Sequence, residues 1–217
     1  MASVTRRTGT RGQTQRVGVE EKLQQAMEQL LEKGLGFTQV SVEELAVEAG
    51  IARATFYLHF RDKGELVARL MARVTTEIVE AATLRTPDTV TRGDLRKTVK
   101  AVVTTYQRHY AVMAAIVETS AYDPQVAAQF RRMMDQLVDV NRRAVQRLKQ
   151  AGRLSADTPP QVADVITWAF ERSCHQLIHG RKPAQINAVV ESLTHVIWSS
   201  MYSSVEGWNA ARRLKAK

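Results

Sequence analysis

The chain has 217 residues, with 31 Lys and Arg against 22 Asp and Glu, a formal net charge of +9. That length holds one large domain or two small ones, and 44% hydrophobic residues suffice for a core without staples. A single cysteine, Cys174, excludes an internal disulfide framework and a Cys-rich zinc site, and 5 prolines with 11 glycines exclude a collagen-like chain. No apolar run is long enough to span a bilayer, and the N-terminal arginines have no apolar stretch behind them. We therefore expect a soluble, cytoplasmic protein with no membrane partner. A pI near 10.0 calls for an anionic partner, nucleic acid first.

Residues 1–18 hold Arg6, Arg7, Arg11 and Arg16, no acid, and nothing that buries a face. This composition predicts a disordered basic arm. Leu23, Ala26, Met27, Leu30 and Leu31 then fall on one helical stripe, with Gly34 placed to end it. Ser41 and Glu44 form an S-x-x-E capping box for a helix carrying Val42, Leu45, Ala46 and Ala49, stopped by Gly50. A short helix follows from about Arg53 to Phe60, and Asp62 with Glu65 starts a long one bearing Leu66, Leu70, Met71, Val74 and Ile78.

The stretch 85–94 reads as a loop because of Pro87 and Gly93. Helices are expected next over Leu95–Tyr106 and Tyr110–Ala121, and then from Asp123-Pro124, a cap followed by proline, to Gly152. Thr158-Pro159 repeats that signal for a helix reaching His179-Gly180, and Pro183 opens the last long helix. The expected fold class is all-α with about nine helices.

The segment Val42–Phe60 places two short helices around Gly50. Ala46 permits a close crossing, while Leu45, Ile51, Phe56 and Phe60 are apolar and face inward. Arg53, Thr55, Tyr57 and His59 are left on the outer side of the second helix, which is of a size to enter a DNA major groove. Lys63, at the next helix start, suits a phosphate.

The run S-V-E-E-L-A-x-E-A-G-I-A-R-A-T-F-Y-L-H-F-R-D-K-G-E-L, positions 41–66, resembles the DNA-binding domain of TetR-family transcriptional regulators. Residues 195–202, HVIWSSMY, resemble the ethionamide-resistance-regulator branch. With the disordered arm over 1–18 and a basic tail over 207–217 set by composition, the resemblance implies a helix-turn-helix domain over 19–66 and a ligand-binding and dimerisation domain over 67–206. It implies that Arg53, Ala54 and Thr55 face base edges of a double-stranded operator. Tyr57, His59, Lys63 and Ser41 would face its phosphates. Ala52 stands where many relatives carry a capping Ser, and Glu43 where some carry a basic or polar contact. The arm's arginines suit the minor groove.

The resemblance further implies a mostly apolar pocket for a small-molecule inducer. Candidate lining residues are Tyr106, Met113, Phe130, Met134, Leu137, Asn141, Thr167, Trp168, Phe170 and Glu171. It implies a homodimer through the last two long helices, about 159–179 and 184–204. The expected function is a ligand-responsive regulator, a repressor released from a palindromic operator.

The alternatives are a sequence-independent DNA-coating protein and a helical metalloenzyme using His175 and His179, which stand at i, i+4. The latter lacks an H-E-x-x-H glutamate. No motif for a cofactor or for catalysis is present, so no enzyme is expected. The charge is unevenly divided. Residues 1–18 have 4 basic and no acidic groups, residues 19–80 have 7 and 11, and residues 81–217 have 20 and 11. The DNA-reading segment is thus net acidic, and its basic groups must gather on one face.

Overall fold

Leu23, Ala26, Met27 and Leu30 lie at helical spacing and are all buried, which gives the first helix its inner face. This computed structural model describes residues 8–83, 89–155 and 158–202, with side chains from Gly18 onward. Among them are nine helices and no strand. They are α1 Thr8–Glu32, α2 Val42–Glu48, α3 Arg53–His59, α4 Lys63–Ala82, α5 Arg92–Arg108, α6 Tyr110–Ser120, α7 Pro124–Gln150, α8 Val162–Leu177 and α9 Pro183–Met201.

Three helix starts differ from the sequence expectations. α1 begins at Thr8, inside the segment expected to be a disordered arm. Nucleating a helix is costly but extending one is cheap, so the amphipathic part from Val19 onward lets the backbone helix run back to Thr8. Residues 1–7, with Arg6 and Arg7, lie outside the described residues, as do 84–88 of the expected loop and the tail.

α5 starts at Arg92, earlier than expected, because Thr91 and Asp94 form a second capping box. α8 starts at Val162 rather than at the Thr158-Pro159 signal. Pro159 precedes Pro160, which disfavours helical geometry there, and the Thr158 hydroxyl donates instead to the Ser200 carbonyl.

The described chain divides into two compact units. The first runs through Val74 and includes Tyr110–Phe130; the second takes Thr75–His109 and the chain from Arg131. In the first, Leu45, Phe56, Leu66, Val67 and Ile116 are completely buried, each contributing about 1.5–3 kcal/mol relative to exposure. Arg69 binds Glu65 at 2.7 Å and lies 5.2 Å from the Phe60 ring centre, joining α4 to the residue that ends α3. In the second, α5 packs on α9 and α9 on α8. Leu95, Val99, Val103, Val190 and Met201 are buried there, and Trp198 stacks on Tyr202 at 4.9 Å.

Candidate nucleic-acid interface

Two chain reversals aim α3. Gly34 (φ 82°) lets Leu35 N–H reach the Leu30 carbonyl, closing α1, and Gly50 (φ 62°) lets Ile51 N–H reach the Ala46 carbonyl, closing α2. Both are left-handed glycine stops, a conformation other residues resist. Between them the Ser41 hydroxyl accepts from Glu44 N–H at 3.1 Å, and the Glu44 carboxylate accepts from Ser41 N–H at 2.7 Å. The backbone and hydroxyl of Ser41 hold the Glu44 carboxyl below its ordinary value. α3 has no side-chain cap: its N-cap is Ala52, and Thr55 N–H bonds the Ala52 carbonyl.

Phe56 and Phe60 turn inward, with 0% and 2% exposure and rings 5.4 Å apart. That leaves Arg53, Ala54, Tyr57 and Leu58 on the outer face of α3, with Thr55 and His59 half-buried beside them. Arg53 lies over the Tyr57 ring at 5.6 Å and reaches Glu43 at 3.9 Å. Leu58 is 78% exposed and was missed in the sequence, where an apolar residue reads as core. The available signal was phase: it follows Ala54 by four residues, on the face opposite Phe56 and Phe60.

Lys63, expected on the phosphate side, has its ammonium turned onto the loop between α1 and α2. It donates to the carbonyls of Phe37 at 2.8 Å, Thr38 at 3.3 Å and Val40. Burial lowers its pKa from the ordinary lysine value, opposed by Glu118 and Glu44. Arg61, largely exposed, is paired with Glu65 at 3.1 Å.

Within the second unit the structure brings Tyr106 to Glu171, the hydroxyl donating to Oε1 at 3.2 Å, and the same hydroxyl oxygen lies 3.5 Å from His175 Nδ1. Asn141 donates to the Thr167 hydroxyl at 2.8 Å. Met134 is fully buried and Leu137 half-buried on the same helix as Asn141. Glu171 is 5% exposed; burial raises its pKa above the ordinary carboxyl value, and its Oε2 is buried with no hydrogen-bond partner. Trp198 Nε1 and the Tyr202 hydroxyl are likewise buried without one. Neither was named among the pocket candidates, although both lie in the HVIWSSMY run.

Phe170 lines an outer groove between α8 and α9, and Trp168 is 41% exposed. Met113 and Phe130 are buried residues of the first unit. α8 ends at Leu177, so His179 lies beyond it, and the helical i, i+4 relation to His175 that a metal pair would use does not hold. Among the described residues no group of three His, Cys, Asp or Glu is placed to hold a metal. Cys174 is fully buried, and burial followed by the Glu171 charge pushes its thiol far above the range where a thiolate forms. Among the described residues no helix is long and apolar enough to cross a membrane.

Two family models match the chain: bacterial regulatory proteins, tetR family, over residues 23–70, and transcriptional regulator EthR, C-terminal domain, over residues 95–203. The HTH-type transcriptional regulator EthR of Mycobacterium tuberculosis (strain ATCC 25618 / H37Rv) is 25% identical over 168 residues, covering 75% of this chain and 78% of that protein. Among solved structures, the TetR family regulator PfmR from Thermus thermophilus superposes with a TM-score of 0.64 at 18% identity, over 82% of this chain and 93% of that one. A putative transcriptional regulator from Saccharomonospora viridis in complex with choline gives 0.66 at 14% identity, over 84% and 97%. A tetR-type N-terminal segment followed by an EthR-type domain over half its length makes this chain a member of the TetR family of transcriptional regulators, EthR-like, a DNA-binding regulator and not an enzyme.

Proposed function

We propose that the chain is a cytoplasmic repressor that binds a near-palindromic operator as a homodimer and is released by a small, mostly apolar ligand. The observation that carries this reading is the sidedness of α3: two completely or nearly completely buried phenylalanines fix one face, and Arg53, Ala54, Tyr57 and Leu58 stand clear on the other. Arg53, Ala54 and Thr55 meet base edges; Tyr57, His59 and the Ser41 end of α2 meet phosphates. Lys63 serves from inside, by holding the loop that leads into α2. A seven-residue helix reads too few base pairs to be specific alone, which favours a two-fold partner.

The dimer is supported by the outer face of α8 and α9. Val165 and Val196 are 65% and 51% exposed there, beside a groove of about 660 Å³ also lined by Ile166, Phe170, Leu193 and Ile197. A second copy buries such a surface isologously. Ligand binding is supported by buried polar atoms of the second unit that lack a hydrogen-bond partner, although Arg172 lies 3.9 Å from one of them, Glu171 Oε2. Glu171 Oε2, Trp198 Nε1 and the Tyr202 hydroxyl are places where a bound molecule's polar group would be accepted. The ligand acts only through different affinity for the DNA-bound and free arrangements.

The test is selection of random duplexes with purified protein, followed by the mass of the complex and a screen for molecules that release the selected duplex. A dimer on a two-fold sequence, released by an apolar compound, supports the reading. Equal affinity for selected and scrambled duplexes at physiological salt replaces it with sequence-independent coating.

A further inference from the structure

The loop between α1 and α2 is held on both of its polar sides. Glu118 of α6 accepts from Phe37 N–H at 2.9 Å, from Thr38 N–H at 2.8 Å and from the Thr38 hydroxyl. Lys63 of α4 donates to the carbonyls of the same two residues and of Val40. Gly36 gives the carboxylate room: a Cβ there would stand 3.2 Å from Glu118 Oε1. Two residues of loop backbone therefore have both donors and acceptors engaged by ionised groups from two different helices. Such charge-assisted bonds are about twice as strong as neutral ones.

We propose that Glu118 is the positioning residue that sets the recognition helix in its DNA-reading orientation, through the loop that starts α2. α2 and α3 have seven residues each, too short to hold their own geometry, so their orientation comes from what anchors them. The anchored loop runs directly into the Ser41 cap of α2, and α2 leads through the Gly50 turn into α3. A shift of α6 along its axis moves the Glu118 carboxylate and with it three hydrogen bonds on that loop. α6 is also well placed to be moved: a single residue separates it from α5, and three residues separate it from α7, which continues into the second unit. The role rests on reading α3 as the recognition helix.

The experiment uses the full chain, a duplex selected from random sequence by the parent protein, and a scrambled duplex of equal length. Glu118→Ala, Glu118→Gln, Thr38→Val and Arg53→Ala are compared by fluorescence anisotropy at fixed salt, with circular dichroism to verify folding. Glu118→Ala is expected to weaken the selected duplex about tenfold, from the loss of charge-assisted bonds, while the scrambled duplex, bound through phosphates, changes by less than about twofold. Glu118→Gln keeps one acceptor and recovers part of the loss. Thr38→Val removes only the hydroxyl and costs about threefold on the selected duplex alone.

If Glu118→Ala does not fold, the graded effects of Glu118→Gln and Thr38→Val decide. Both variants binding like the parent, or equal losses on the two duplexes, overturn the role. Arg53→Ala tells the two failures apart. If it keeps the parent's sequence preference, the reading of α3 falls and Glu118's role with it. If it loses that preference while the Glu118 variants keep theirs, only Glu118's role falls.

Discussion

The Arg53 guanidinium lies 3.9 Å from the Glu43 carboxylate, an ion pair between the first residue of α3 and the helix before it. Both side chains are exposed, so the pair contributes little to stability. Its consequence is for DNA: an acid stands beside the arginine proposed to meet the bases, where it would repel phosphate. Glu43→Gln is expected to tighten binding to selected and scrambled duplexes alike, by about threefold. Arg53→Ala acts oppositely and unequally, weakening the selected duplex about tenfold or more and flattening its preference. Competition binding at fixed salt measures both. An affinity gain confined to the selected duplex would mean that Glu43 reads sequence rather than repelling backbone.

Leu58 is the most exposed large apolar side chain among the described residues and stands one helical turn beyond Ala54. An apolar group on a groove-facing helix suits the thymine methyl, which cytosine lacks. Leu58→Ala is expected to weaken the selected duplex about fivefold and the scrambled one hardly at all. Replacing the contacted thymine by uracil removes the methyl and costs the parent protein a similar factor. Applied together, the two changes cost little more than either alone, because they remove the same contact. Additive losses would place the leucine elsewhere.

The helix-turn-helix was legible because local chemistry dictates it. Gly50, the Ser41–Glu44 box and the Phe56–Phe60 spacing each have a local cause that tertiary packing only completes. Lys63 was legible as a cation at a helix start, but its partners are three carbonyls from 23 to 26 residues away in sequence. Glu118 was not legible at all: its partners lie 80 and 81 residues back, and nothing in the sequence around it marks a loop anchor. Ligand candidates fared similarly. Tyr106 and Glu171 meet from 65 residues apart, whereas Phe170, next in sequence to Glu171, lines the outer groove, because adjacent helical residues point about 100° apart. The α8 start was misread because a cap-then-proline signal ignores the second proline.

Glu65 carries an acid-sensitive part of the first unit's stability. Arg61 N–H, then the Arg69 guanidinium, hold its carboxyl down from 4.5 to about 2. A carboxylate depressed in the folded state gives stability that is complete above its unfolded value and is lost as pH falls through the folded one. The window therefore runs from about pH 4.5 down to about 2. Glu65→Gln is expected to lower the melting temperature at pH 7, with the gap from the parent closing across that window. A gap independent of pH would assign the loss to packing instead.

Glu171 behaves with the opposite sign. Burial, opposed by the Arg172 charge and the Tyr106 hydroxyl, raises its folded pKa, so holding the charge there costs stability relative to the unfolded chain. Below the unfolded value the group is neutral in both states and the penalty is absent. It grows as pH rises through the interval up to the raised folded value, and is complete above it. Glu171→Gln keeps an acceptor for the Tyr106 hydroxyl and removes the ionisation. Its melting temperature is expected to match the parent's near pH 4 and exceed it at pH 8. Tyr106→Phe removes the neighbouring donor and lowers stability at both ends of that range. A molecule that presents a hydrogen-bond donor to Glu171 Oε2 offsets the same penalty, so it stabilises the parent protein more than Glu171→Gln. Thermal shift with paired compounds, one amine and one methyl ether of matched length, reads this directly. Equal shifts for both compounds on both proteins would place the ligand away from Glu171.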